Sequence, residues 1–118
     1  EIPFAIIEEA PIYPGCKGTK EELKKCLQDQ INKHVQKHFK THLAQDLGLT
    51  AGKKKVYVQF KIDKTGEIVD IRARGPHARL EKEAIRVVQL LPKMTPGKQR
   101  TRPVRVSYTL PVTLVVLQ

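Results

Sequence analysis

The chain has 118 residues, 40% hydrophobic and 29% charged, enough for one domain around a single core. It contains no run of about 18 apolar residues, so no segment reads as a membrane-spanning helix. The net charge of +10 favours anionic partners but does not choose among nucleic acid, lipid headgroups and acidic peptides.

Enzymatic chemistry finds no support: there is no nucleophile motif, glycine-rich phosphate loop or carboxylate pair, and Ser107 is the only serine. The chain therefore reads as a non-enzymatic module without a cofactor. Its two cysteines, Cys16 and Cys26, are spaced for neither a C-x-x-C redox pair nor a four-ligand zinc site.

Residues 1–18 carry Pro3, Pro11, Pro14, Gly15 and Gly18 and are expected to be an extended lead-in, with a domain following over 19–118. The opening Glu1-Ile2-Pro3 has no positive n-region, so any targeting or anchoring element is expected upstream. Thr19-Lys20-Glu21-Glu22 matches a capping box, predicting a helix start. Leu23, Leu27, Ile31, Val35, Phe39, Leu43 and Leu47 then recur every fourth residue. Such a repeat slips about 40° per step on a 3.6-residue helix, roughly 240° over the run. One straight helix cannot keep all seven on one core, and a bend or a break is expected near Asn32–Gln36.

Val56, Val58, Phe60 and Ile62 alternate as a half-buried strand, and Asp63-Lys64-Thr65-Gly66 reads as a hairpin loop. A second strand is expected to place Val69, Ile71 and Ala73 on one face and Asp70, Arg72 and Arg74 on the other. Leu80, Ala84, Val87, Val88 and Leu91 form a helical stripe ended by Pro92. A basic loop leads into a last strand, with Val104, Val106, Tyr108, Leu110, Val112, Leu114 and Val116 alternating. A hairpin pairs strands one and two, and a right-handed crossover carries strand three past strand one. The expected fold is α+β: a three-stranded antiparallel sheet of order 2-1-3 with the helices packed on one face.

Strand three is then an edge, and a long, weakly protected one. Pro111 removes a donor, as suits an edge, and Leu114-Val115-Val116-Leu117 is apolar on both faces. Residues 1–10, a second copy of the chain in a homodimer, or a partner strand could each cover it. Which amides point outward cannot be read from the alternation.

The second half resembles the TonB C-terminal domain family. The resemblance rests on Val56-Tyr57-Val58-Gln59-Phe60, Ile62-Asp63-Lys64-Thr65-Gly66, Leu80-Glu81-Lys82-Glu83-Ala84, Leu91-Pro92-Lys93-Met94-Thr95-Pro96-Gly97-Lys98-Gln99 and Pro103-Val104-Arg105-Val106. Ala10-Pro11-Ile12-Tyr13-Pro14-Gly15 is similar to the lead-in of the same subgroup. Met94 stands where that loop usually has an aromatic, and the family's Gln-Pro-x-Tyr-Pro motif has no counterpart in Asn32–Ala44. The resemblance implies a periplasmic domain tethered to the inner membrane by an N-terminal helix outside this chain. It further implies an ExbB/ExbD motor and outer-membrane transporters as partners, with no nucleic acid. The transporter's TonB box would add as a strand beside the last strand, here involving Arg102, Val104, Arg105, Val106, Ser107, Tyr108, Thr109, Leu110 and Thr113. The periplasm is oxidising, so Cys16, just before the Thr19 cap, and Cys26, about two turns into the helix, are expected to pair. Lys93, Lys98, Arg100, Arg102 and Arg105 are expected to steer the partner.

His34, His38 and His42 recur at helical spacing with Asp46, but flank the apolar stripe where solvated polar residues belong; no metal site is assigned. A basic RNA-binding α+β module and a structural dimerisation domain are the alternative readings. The chain has no Gly-x-x-Gly clamp and few aromatics for the first.

Overall fold

Thr19 opens the first helix as its motif requires. Its hydroxyl accepts the Glu22 amide at 3.2 Å, and the Glu22 carboxylate accepts the Thr19 amide at 3.0 Å. The computed structural model describes residues 1–117. In chain order these form β1 (Ile2–Pro3), α1 (Lys20–His38), α2 (His42–Asp46), β2 (Gly52–Ile62), β3 (Ile68–Arg74), α3 (Ala78–Gln89), β4 (Lys98–Gln99), β5 (Arg102–Pro103) and β6 (Val106–Val116).

The helical break falls after His38, not at Asn32–Gln36. Leu27, Ile31 and Val35 drift too little to leave the core, and Phe39 stays buried because its backbone turns extended, with ψ of 125°. A polar clamp from α3 holds the break. Glu83, buried, accepts the Lys40 amide at 2.8 Å and takes two hydrogen bonds from Arg86, which also donates to the His38 carbonyl. The helix end therefore finds partners for both its loose carbonyl and the next amide.

The main sheet has four strands in the order β1-β6-β2-β3, so the expected three-stranded antiparallel sheet needs correction. β2 does lie between β3 and β6, antiparallel to both. The added strand is the lead-in: Ile2 and Pro3 pair in parallel with Val106 and Ser107. The face assignment of β3 also changes. Its register against β2 shifts between Gln59 and Lys61, and Asp70 sits at φ of 53°. This bulge reverses the alternation, so Ile68 joins Ile71 and Ala73 against the core while Val69 pairs with Lys61.

Leu27, Ile31, Val35 and Phe39 of the α1 segment meet Leu80, Ala84, Val87 and Val88 of α3 over the even-numbered residues of β6 and β2. One face of the sheet is thereby covered, and the other is left open. Residues 7–16 return across the domain, with Ile7 and Pro11 buried, Glu9 and Ile12 bridged to Lys98 and Thr95, and Cys16 disulfide-bonded to Cys26. No helix among the described residues is long and apolar enough to cross a membrane. His34 is buried, not solvated as its stripe suggested. Its Nε2 lies 2.7 Å from the Val87 carbonyl, and burial lowers its pKa.

Candidate partner-binding edge

β6 pairs with β2 along its whole length without a register break, from Val106 against Ile62 to Val116 against Gly52. Its outer edge is therefore periodic, and two hydrogen bonds set the phase. Ile2 donates to the Arg105 carbonyl and Phe4 to the Ser107 carbonyl, both at 2.9 Å. Odd-numbered residues thus point their backbone groups away from β2, and even-numbered ones point toward it. Side chains follow the same parity. Val106, Tyr108, Leu110, Val112, Leu114 and Val116 are buried, whereas Thr109, Pro111, Thr113 and Val115 are exposed on the open face.

Both ends of this edge are occupied. At the start, β1 takes residues 105–107. Phe4 packs on Tyr108, ring centroids 4.9 Å apart, and Lys24 lies over Phe4. Tyr108 is deep enough in this stack that burial pushes its phenol up to about 12. At the far end, Gln45 of α2 binds both backbone groups of Leu117. Between these stops lie Thr109, Pro111, Thr113 and Val115, whose outward groups have no partner among the described residues. Pro111 supplies only a carbonyl, so the window offers three amides and four carbonyls.

A groove of about 310 Å³ runs below this window on the core side, lined by Asn32, Val35, Gln36, Phe39 and Thr41 with Leu110–Leu114. The helical break positions Phe39 and Thr41 there. A strand seated on the window would lower alternate side chains into this groove.

On the open face, Lys61 of β2 reaches across Ser107. It meets Glu1 at 2.8 Å and Asp70 at 3.0 Å, and hydrogen bonds from its ammonium hold both carboxyls below their usual range. Lys53 and Lys55 stand farther along the same row, opposite Val115 and Thr113. The other sheet edge, β3, carries the Asp70 bulge and exposed Arg72 and Arg74, features that discourage strand addition.

The structure brings Ser107, Thr109 and Thr113 onto the outer edge. It directs the side chains of Val106, Tyr108 and Leu110 into the core. Arg102 pairs with Gln99 in the separate β4–β5 hairpin, and Val104 and Arg105 lie between that hairpin and β6. This hairpin turns through Arg100 and Thr101 at φ of 51° and 66°, a left-handed turn made without glycine. Missed by sequence reasoning were Gln45 and the groove residues Asn32, Gln36 and Thr41, whose roles depend on where α1 ends.

The family described as Gram-negative bacterial TonB protein C-terminal matches residues 52–114, from the first residue of β2 to within two residues of the end of β6. The chain belongs to this family. The TonB-type match thus spans the central strand, the crossover helix and the edge strand, and covers just over half of the chain. It is a family of binding and transducing domains, not of enzymes. No curated protein matches the chain.

Proposed function

We propose that this TonB-type domain works in the periplasm, where it binds an extended segment of an outer-membrane transporter by strand addition to Thr109–Val115. It would pass on force generated by a proton-driven inner-membrane motor. The observation that carries this reading is the bounded edge: β1 closes β6 before Thr109, Gln45 closes it after Val116, and the stretch between is left unpaired among the described residues. Long open edges are normally blunted because they recruit other strands. Here blunting stops at both sides of one short window, and a groove for side chains lies directly beneath it. Main-chain bonds would supply affinity and the groove selectivity.

The rival nucleic-acid reading would need stacking aromatics on the open sheet face. Among the described residues that face presents a single exposed one, Tyr57. A calorimetric titration with a peptide from a transporter's N-terminus, alongside a single-stranded oligonucleotide, separates the two. Saturable peptide binding with at most a shallow dependence on salt supports strand addition. Oligonucleotide binding that falls steeply with salt, without peptide binding, refutes it.

A further inference from the structure

The Lys61–Glu1 pair joins β2 to the segment that leads into β1, a strand that is not its neighbour. Lys61 belongs to β2 and pairs with Ser107 of β6, and Glu1 lies just before β1, which covers β6 there. Starting from its place opposite Ser107, the lysine reaches a carboxylate on the segment beyond β6, at 2.8 Å. The molecule thus demonstrates a cross-strand contact spanning two inter-strand spacings, about 10 Å of backbone separation.

The same row continues into the open window. Lys55 pairs with Thr113 and Lys53 with Val115 on the uncovered face. Both lysines are exposed, and neither takes part in any ion pair among the described residues. Thr113 and Val115 are short enough to leave the passage clear. What this part of the edge lacks is the carboxylate that Glu1 supplies farther back.

We propose that the strand occupying the window carries a carboxylate side chain on its open-face residue opposite Thr113 or Val115, and that Lys55 and Lys53 reach across β6 to bind it. The inference rests on strand addition at this edge and specifies the partner: at least one acidic side chain toward Lys53 and Lys55 on the open face, with its alternate side chains turned toward the groove. The two basic residues then help set register, because sliding the strand by one residue would turn the acid to the core side of the edge, away from both lysines.

The test is a double-mutant cycle with synthetic probes. A nine-residue, terminally blocked peptide alternating valine with glutamate is compared with its glutamine counterpart, on the parent domain and on Lys53→Gln/Lys55→Gln. The parent should prefer the glutamate peptide more strongly than the double variant does, by about 5-fold, the scale of a partly exposed ion pair. A Lys20→Gln/Lys82→Gln variant of equal net charge should keep the parent's preference. Equal preference in the parent and Lys53→Gln/Lys55→Gln would overturn the inference even if both peptides bind. A preference lost equally in Lys20→Gln/Lys82→Gln would reduce it to bulk charge, overturning it too. Thr113→Pro, measured in parallel, checks the underlying reading: if it binds the peptides as tightly as the parent, strand addition itself is wrong. Binding of neither peptide to the parent contradicts both.

Discussion

Gln45 closes the end of β6 by imitating a neighbouring strand. Its amide oxygen accepts the Leu117 N–H at 3.0 Å, and its amide nitrogen donates to the Leu117 carbonyl. One side chain thus satisfies the outward pair that follows Val115 in the odd-numbered series. Gln45→Ala should leave the fold intact, cost about 1 kcal/mol, and lengthen the open edge by one residue pair. Amide hydrogen exchange is the measurement: Leu117 should lose protection while the even-numbered amides of β6 keep theirs. Unchanged protection at Leu117 would show that the contact does not hold the strand end.

The clamp at the helical break should make stability depend on acid. Hydrogen bonds from Arg86 come first among the causes that hold the Glu83 carboxyl below its ordinary range. A carboxyl with a depressed folded-state pKa stabilises the protein above its unfolded value, about 4.3, and that contribution is lost as pH falls through the lower folded value. Glu83→Gln should cost on the order of 2 kcal/mol at neutral pH. The gap from the parent should narrow between about pH 5 and pH 3. Urea denaturation across that range checks it, and a gap that stays constant would remove Glu83 as the titrating group.

Much of this fold is written in local patterns. The Thr19 capping box, the Asp63–Gly66 loop and the alternation in β2 and β6 depend on residues close in the chain, and each is found where the pattern puts it, except that β6 begins at Val106 and not at Val104, whose amide binds the Gly97 carbonyl. The differences arise where distant partners decide. Phe39 leaves the helix because Glu83, 44 positions away, receives the Lys40 amide; Val69 changes face because Asp70 bulges. The candidate site was legible as an edge but not as a window. Its phase comes from Ile2 and Phe4, and its far limit from Gln45, none of which carries a local signal for that role.

Gly66 shows the same division within one residue. Its φ of +90° follows from the loop type, but a Cβ there would also lie 1.7 Å from the Met94 carbonyl oxygen. The Met94 amide binds the Gly66 carbonyl at 3.0 Å, so hairpin and loop are docked closely. Gly66→Ala should therefore cost well beyond the usual left-handed penalty, roughly 3 kcal/mol or more. Gly48→Ala is the control, since its φ is +70° with nothing within 4 Å. Similar melting temperatures for the two variants would contradict the steric account.

The Cys16–Cys26 bond closes a loop over a sequence separation of 10 and ties the lead-in to α1. By chain entropy such a loop is worth about 3 kcal/mol. Reduction, or replacement of both cysteines by serine, should lower the melting temperature. Ile2 and Phe4 should then exchange their amide hydrogens faster. Two freely labelled thiols in the native, unreduced protein would show that the bond does not form.

Strand addition at the window is tested most directly by proline at Thr113. The Thr113 amide points outward, so its removal breaks no bond to β2, and Pro111 shows that the strand accepts proline at this parity. Val112→Pro is the opposite case, because its amide faces β2 and its loss should unfold the sheet. Transporter-peptide affinity is measured for the parent and Thr113→Pro, with circular dichroism recorded on all three proteins. The expected result is a native spectrum for Thr113→Pro with peptide affinity reduced at least about 10-fold, a cost of one charge-free main-chain bond. A folded Thr113→Pro that binds the peptide as tightly as the parent would contradict the account.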